Sequence, residues 1–117
     1  MNHKTLDQLS KINTNPDFMK ELINGFISDT KKLITKIKLS IEEENFEEVQ
    51  EHAHAIKGSA HNIGALAIAE SANRIVNESK KRAYINMPES YINLVQISGI
   101  TISALNFYLD EYDSASL

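Results

Sequence analysis

Apolar residues along this chain recur at steps of three and four rather than two, and long stretches keep that step without a break. This is the period of an amphipathic α-helix, so the pattern predicts an all-α fold. In residues 5–12, Leu6, Leu9 and Ile12 share one side of a short segment that can cap an end of a bundle. Asn15-Pro16 then reads as an N-cap followed by proline at the first helical position, where the missing N–H costs nothing. Over 16–41, Met19, Leu22, Ile23, Phe26, Leu33, Ile34, Ile37 and Ile41 form a stripe with Thr30 in the same column. Glu42-Glu43-Glu44-Asn45 interrupts it, and so short a connection makes the next helix run back antiparallel to the first.

Residues 46–63 carry Phe46, Val49, Ala53, Ile56, Ala60 and Ile63 on one side of a second helix, with Gly64 as its stop. A third helix, residues 65–83, is rich in small residues; Leu66, Ala69, Ala72, Ile75 and Val76 face inward and its last turn is cationic, which suits the helix dipole. Residues 84–86 form a loop and Pro88 restarts the chain. Tyr91, Val95, Ser98, Ile102, Leu105, Leu109 and Tyr112 then mark a fourth helix, although the β-branched residues around Gly99 also permit a strand over 95–103. Gly99 either admits another helix closely or is merely tolerated, and residues 110–117 are expected to fray. The expected architecture is an antiparallel up-down four-helix bundle with a short N-terminal capping helix. It forms one domain over residues 1–117, with its core at about 16–112.

Composition narrows the function. With 117 residues the chain has one domain's length, and 42% hydrophobic residues suffice for a single core. The 16 acidic residues outnumber the 12 Lys and Arg, for a formal charge of −4, which argues against a nucleic-acid partner. No uninterrupted apolar run approaches the ~20 residues that span a bilayer, the longest being residues 65–69, and the first residues lead into no signal-peptide core. The expectation is a cytoplasmic protein without direct membrane insertion. Zero cysteines remove disulfides, thiolate nucleophiles and Cys-based zinc sites together.

Three of the four histidines, His52, His54 and His61, lie on the second helix. At about 100° per residue, His54 points roughly 130° away from the apolar side, into solvent. His52 lies roughly 160° around from His54, so the two cannot grip one ion. His61 shares the face of His54, but seven residues of rise separate them by about 10 Å, too far for joint coordination. No metal site is expected. Lys57 is one turn beyond His54 on the same side, and Gly58, at i+4, falls close to the same direction. A mid-helix glycine costs ~1 kcal/mol relative to alanine. Here it clears every side-chain atom from the surface beside an exposed imidazole. An imidazole nitrogen is a competent nucleophile at neutral pH, and an ammonium nearby favours an incoming phosphoryl group.

His54-Ala55-Ile56-Lys57-Gly58-Ser59, followed by Ile63-Gly64-Ala65, resembles the histidine-containing phosphotransfer (HPt) domain family, and the resemblance covers about residues 16 to 112. It implies a four-helix bundle that presents the phosphorylatable histidine on its second bundle helix. His54 then corresponds to the phosphoryl acceptor, Lys57 to the positive charge beside it, and Gly58 to the small residue that admits the partner. Gly64-Ala65 matches the turn into the next helix. The third helix departs mildly, with Ala69, Ala72 and Asn73 where larger apolar residues are common, and His61 has no family role. The resemblance implies a phosphorelay in which a receiver domain's phospho-aspartate passes its group to His54, which hands it to another receiver. The partners implied are response-regulator receiver domains and a hybrid sensor histidine kinase.

Magnesium would come with the receiver, so no cofactor of the chain's own is expected. The sequence has no phosphate-cradling glycine loop, which marks it as a phosphocarrier rather than an enzyme with an ATP-binding kinase site. The competing expectation is a non-catalytic helical adaptor or dimerisation module. The run of Glu42, Glu43, Glu44, Glu47, Glu48 and Glu51 is read as a solvated face with favourable dipole interactions.

Overall fold

Local chemistry starts and stops the helices where the polar breaks fall. The computed structural model describes residues 16–83 and 85–116, which form α1 (Pro16–Glu42), α2 (Phe46–Ile63), α3 (Leu66–Lys80) and α4 (Met87–Ser116). The expected capping segment at residues 5–12 and the Asn15 cap lie outside the described residues. No strand occurs among the described residues, and 95–103 is helical within α4.

The turn after α1 closes with Asn45 N–H donating to Ser40 O at 2.9 Å and Glu44 in the left-handed region at φ 56°. Asn45 then caps α2, its Oδ1 accepting from the Glu48 N–H at 3.2 Å, which satisfies one of the donors a helix start leaves open. Gly64, at φ 81°, ends α2, and the Ala65 N–H reaches back to Ala60 O at 2.8 Å. That is a left-handed C-terminal stop for which glycine carries no Cβ penalty.

Each helix packs against the next in sequence, and α4 closes back on α1, so α2 and α4 stand diagonally across the bundle. The core is built from Met19, Ile23, Phe26 and Ile37 of α1, the six expected inward residues of α2, Ile68, Ala69, Ala72, Ile75 and Val76 of α3, and Met87, Leu94, Leu105 and Leu109 of α4. Polar ties set the register between neighbours. Ser40 Oγ donates to Glu48 Oε2 at 3.1 Å between α1 and α2. Ser71 Oγ donates to Asn93 Oδ1 at 2.8 Å, and Ser90 Oγ to Glu78 Oε1 at 2.7 Å, between α3 and α4.

Four expectations need correction. Leu66 is exposed, because α3 starts at it and its inward turn is begun by Ile68 and Ala69. α3 ends at Lys80 rather than Ala83: Arg82 adopts φ 54°, and Ala83 N–H bonds back to Glu78 O at 2.9 Å, so two of the three consecutive cations lie past the helix. The inward residues of α4 are Met87, Ser90, Leu94, Ser98, Thr101, Leu105 and Leu109, while Val95 is exposed and Ile102 half-buried. The helix also continues through the expected frayed tail to Ser116. α4 over Met87–Glu111 is long and apolar enough, by length and composition, to cross a membrane. Its buried residues instead belong to the core shared with α1 and α3, and it is not a clear membrane span.

Candidate functional site

With Phe46, Val49, Ala53, Ile56, Ala60 and Ile63 all buried, the helical period turns the opposite side of α2 outward. His54 is exposed on that outer side. Lys57 is half-buried at its edge, about 60° around the helix from His54. Such a position lets a lysine lay its aliphatic stem along the bundle and keep its ammonium in water. Ser59, next along, is committed elsewhere: its Oγ donates to the Ala55 and Ile56 carbonyls at 3.1 and 3.2 Å.

Gly58 is exposed, and a Cβ built on it meets no atom within 4 Å. Its backbone is not left-handed. Neither packing nor conformation therefore requires glycine at this position, yet glycine in a helix interior costs ~1 kcal/mol. What it does provide is bare helix surface on the C-terminal flank of His54. On the N-terminal flank, Glu47, Gln50, Glu51 and His54 bound a shallow depression of about 270 Å³. The imidazole thus stands on an open ridge with carboxylates to one side and uncovered backbone to the other.

The structure separates the other histidines from this point. His52 is half-buried on the α1 side, in a depression it shares with Lys36, Ser40, Glu43 and Glu48. His61 is exposed, and its carbonyl accepts from the Gly64 N–H at 3.2 Å as part of the α2 stop. Among the described residues no three His, Asp or Glu side chains gather as a metal site would need. One feature escapes a reading of α2 alone: Lys32 and Lys36 of α1 line a depression with Ala55 and Ser59, which sets two more cations along the flank of the helix. Their spacing of four residues shows that they share a face of α1, but only the packing of α1 on α2 says which residues they border.

A groove of about 580 Å³ between α3 and α4, lined by residues including Ser71, Arg74, Glu78, Asn93 and Ile97, has no contribution from α2. His54 lines no part of this groove; it is exposed beside the shallow depression it shares with Glu47, Gln50 and Glu51.

The family model described as "Hpt domain" matches residues 21–95. This chain belongs to the Hpt domain family. The matched stretch contains the whole of α2 and α3 and ends within α4. The chain is similar to histidine-containing phosphotransfer protein 1 of Arabidopsis thaliana, 33% identical over 57 residues that cover 47% of this chain and 37% of the relative. It is also similar to the protein of the same name from Oryza sativa subsp. japonica, 32% identical over 63 residues, 52% of this chain and 43% of the relative. The alignments thus span about two fifths of the length of these relatives. The fold matches the crystal structure of histidine-containing phosphotransfer protein B from Pseudomonas aeruginosa with a TM-score of 0.90 over 96% of both chains, at 15% identity. At that identity the likeness speaks for the Hpt bundle itself.

Proposed function

We propose that this chain is a phosphocarrier of a multistep two-component phosphorelay, with His54 as the acceptor. The observation that carries the reading is the exposed imidazole beside a glycine that neither packing nor backbone geometry calls for, inside a stretch that matches the Hpt family model. An unprotonated ring nitrogen of His54 attacks the phosphorus of a receiver's aspartyl phosphate. The N–P bond forms as the P–O bond to the aspartate breaks, and the aspartate leaves as a carboxylate. In the onward step a second receiver's carboxylate oxygen attacks phosphorus, and the N–P bond breaks. Lys57 lowers the cost of the charge on the transferring group, and Gly58 lets the partner's backbone approach. Magnesium belongs to the receiver on this reading, the phosphoryl group reaches the relay from a hybrid sensor histidine kinase, and the chain works in the cytoplasm.

The test is incubation with a phosphorylated receiver domain. The expected product is a phosphate on His54 that is labile to acid and stable to base, and the His54→Gln variant takes up none while its unfolding free energy stays within the small range of exposed substitutions, about ±0.5 kcal/mol. Undiminished uptake by that variant removes His54 from the role and makes His61 the residue to test. No uptake by the wild type with any receiver leaves a helical adaptor as the reading.

A further inference from the structure

The groove between α3 and α4 lies apart from the His54 ridge, and its walls carry amides rather than apolar groups. Ala67 and Ile97 are its apolar lining residues, whereas a pocket for a drug-sized molecule is predominantly hydrophobic. Asn73 and Asn77 line the α3 wall and Asn93 the α4 wall. Asparagine is a poor residue for a helix interior, and Asn73 and Asn77 cap neither end of α3, which is flanked by Ala65 and Lys81. Among the described residues neither of these two side chains takes part in a hydrogen bond. Asn93 is held: its Oδ1 accepts from the buried Ser71 Oγ at 2.8 Å, which leaves its N–H donors to spare.

The spacing of these amides points to a ligand. In an extended chain each residue presents its own N–H and C=O to one edge, and the next residue presents its pair to the other. A carboxamide, with one C=O beside its N–H donors, can meet such a pair. Pairs on one edge recur at about 6.7 Å, twice the rise of a strand. Asn73 and Asn77 are four residues apart, about 6 Å along one face of α3. Asn93 follows Ser90 by three residues on the antiparallel α4, and Ser90 meets Glu78, so Asn93 stands on the facing wall level with residues 71–75.

We infer that this groove binds an extended peptide segment of a partner protein, with Asn73 and Asn77 meeting alternate residues on one edge and Asn93 the residue between them on the other. Its lining runs from Ala67 to Lys81 on α3, about 21 Å, the length of roughly six extended residues. Charge refines the occupant. At mid-groove Arg74 Nε and Glu78 Oε1 pair at 3.3 Å, so a neutral backbone meets no net charge there. Glu78 Oε2 is shut off from water without a partner, which leaves the groove wall one more acceptor for an N–H donor. Exposed Glu70 and exposed Lys81 mark the two ends, about 16 Å or five extended residues apart. The segment therefore carries a basic side chain at one end and an acidic one about five residues away. Since α2 lines no part of the groove, a bound segment leaves His54 open. On the phosphocarrier reading it would tether a partner and raise its effective concentration at the ridge.

The test uses the full chain and no phosphoryl chemistry. The probe is the blocked peptide acetyl-Arg-Thr-Ala-Thr-Ala-Asp-amide, titrated to millimolar concentration against isotope-labelled protein. The side-chain amide signals of Asn73, Asn77 and Asn93 are expected to shift together and to saturate. Asn77→Ala and Asn73→Ala are each expected to weaken binding about tenfold, the loss of two ordinary hydrogen bonds. Both substitutions favour the helix, so melts alongside keep a lost site distinct from a lost fold. The same peptide N-methylated at alternate residues is expected to bind at least as weakly as the parent does to these variants. Absence of shifts at the three amides, undiminished affinity in both variants, or equal binding of the N-methylated peptide overturns the proposal. Shifts of the same amides on concentrating the protein alone overturn it in favour of a second copy.

Discussion

Gly58 lies one helical turn beyond His54 on the exposed side of α2, with open space where its Cβ would be. Stability and transfer should respond to substitution here with opposite signs. Gly58→Ala is expected to raise stability by up to ~1 kcal/mol, since the added methyl meets nothing and the helix gains propensity. Phosphoryl transfer from a receiver is expected to fall with side-chain size, modestly for alanine and severely for Gly58→Gln and Gly58→Leu. Thermal melts beside single-turnover transfer measure both. A flat transfer series would falsify the claim that the partner's backbone passes over this glycine.

On the proposed reading, Lys57 should matter to the transferring group more than to the fold. Lys57→Ala is expected to slow transfer by roughly ten- to a hundredfold, the equivalent of ~1.5–3 kcal/mol for a hydrogen bond to a charged group. Its melting temperature should barely move. Single-turnover rates equal to wild type would show that the ammonium is incidental.

Thr30 and Ser98 are buried midway along α1 and α4, and neither Thr30 Oγ1 nor Ser98 Oγ has a hydrogen-bond partner. An unpaired buried hydroxyl costs on the order of 1–3 kcal/mol. Thr30→Val keeps the shape and removes the polar atom, and is expected to raise stability by about 1 kcal/mol. Denaturant unfolding checks it, and a loss of stability would mean that the hydroxyl is satisfied in solution.

Glu44 and Arg82 share nearly the same left-handed backbone, φ 56° and 54°, but glycine should act differently at the two sites. At Glu44 glycine relieves a cost of ~1–2 kcal/mol and gives back ~0.4–1 in unfolded-chain entropy, so Glu44→Gly should stabilise by about half to one kcal/mol. At Arg82 the side chain donates to Glu47 Oε1 at 3.0 Å and its guanidinium lies 5.7 Å from the Phe46 ring centroid. Losing both contacts, each worth up to ~1 kcal/mol when exposed, should cancel the gain in Arg82→Gly. Equal gains in the two variants, measured by chemical denaturation, would show the Arg82 contacts to be inert.

The pattern in the sequence resolves α2 to the residue, because its apolar positions occupy one narrow stripe flanked by charges: every inward residue expected there is buried, and both ends fall where Asn45 and Gly64 place them. α4 behaves differently for the same physical reason. With no charge between Ser90 and Leu109, two apolar stripes fit the period equally well, and periodicity alone chooses Val95 and Ile102 where packing chooses Leu94 and Thr101. The end of α3 was illegible because nothing in Lys80-Lys81-Arg82 announces a left-handed residue; Arg82 adopts that conformation where it reaches Glu47 and Phe46 on another helix. The position of His54 could be read from α2 alone. The placement of Lys32 and Lys36 beside Ala55 and Ser59 could not, since it depends on how two helices meet.

The first turn of α2 is held from three directions: by the Asn45 cap, by Ser40 to Glu48, and by Arg82 to Glu47. The left-handed stop at Gly64 fixes its other end. His54 stands between these anchors on regular helix, so nothing on its ridge has to order when a partner arrives. Encounter then resembles the docking of two preformed bodies, with little entropy lost on this side of the contact. Speed in such a case is set by diffusion and long-range fields rather than by folding, and ionic strength becomes the variable that tunes it. If the chain carries a phosphoryl group as proposed, such an encounter lets it load and unload quickly without tight binding.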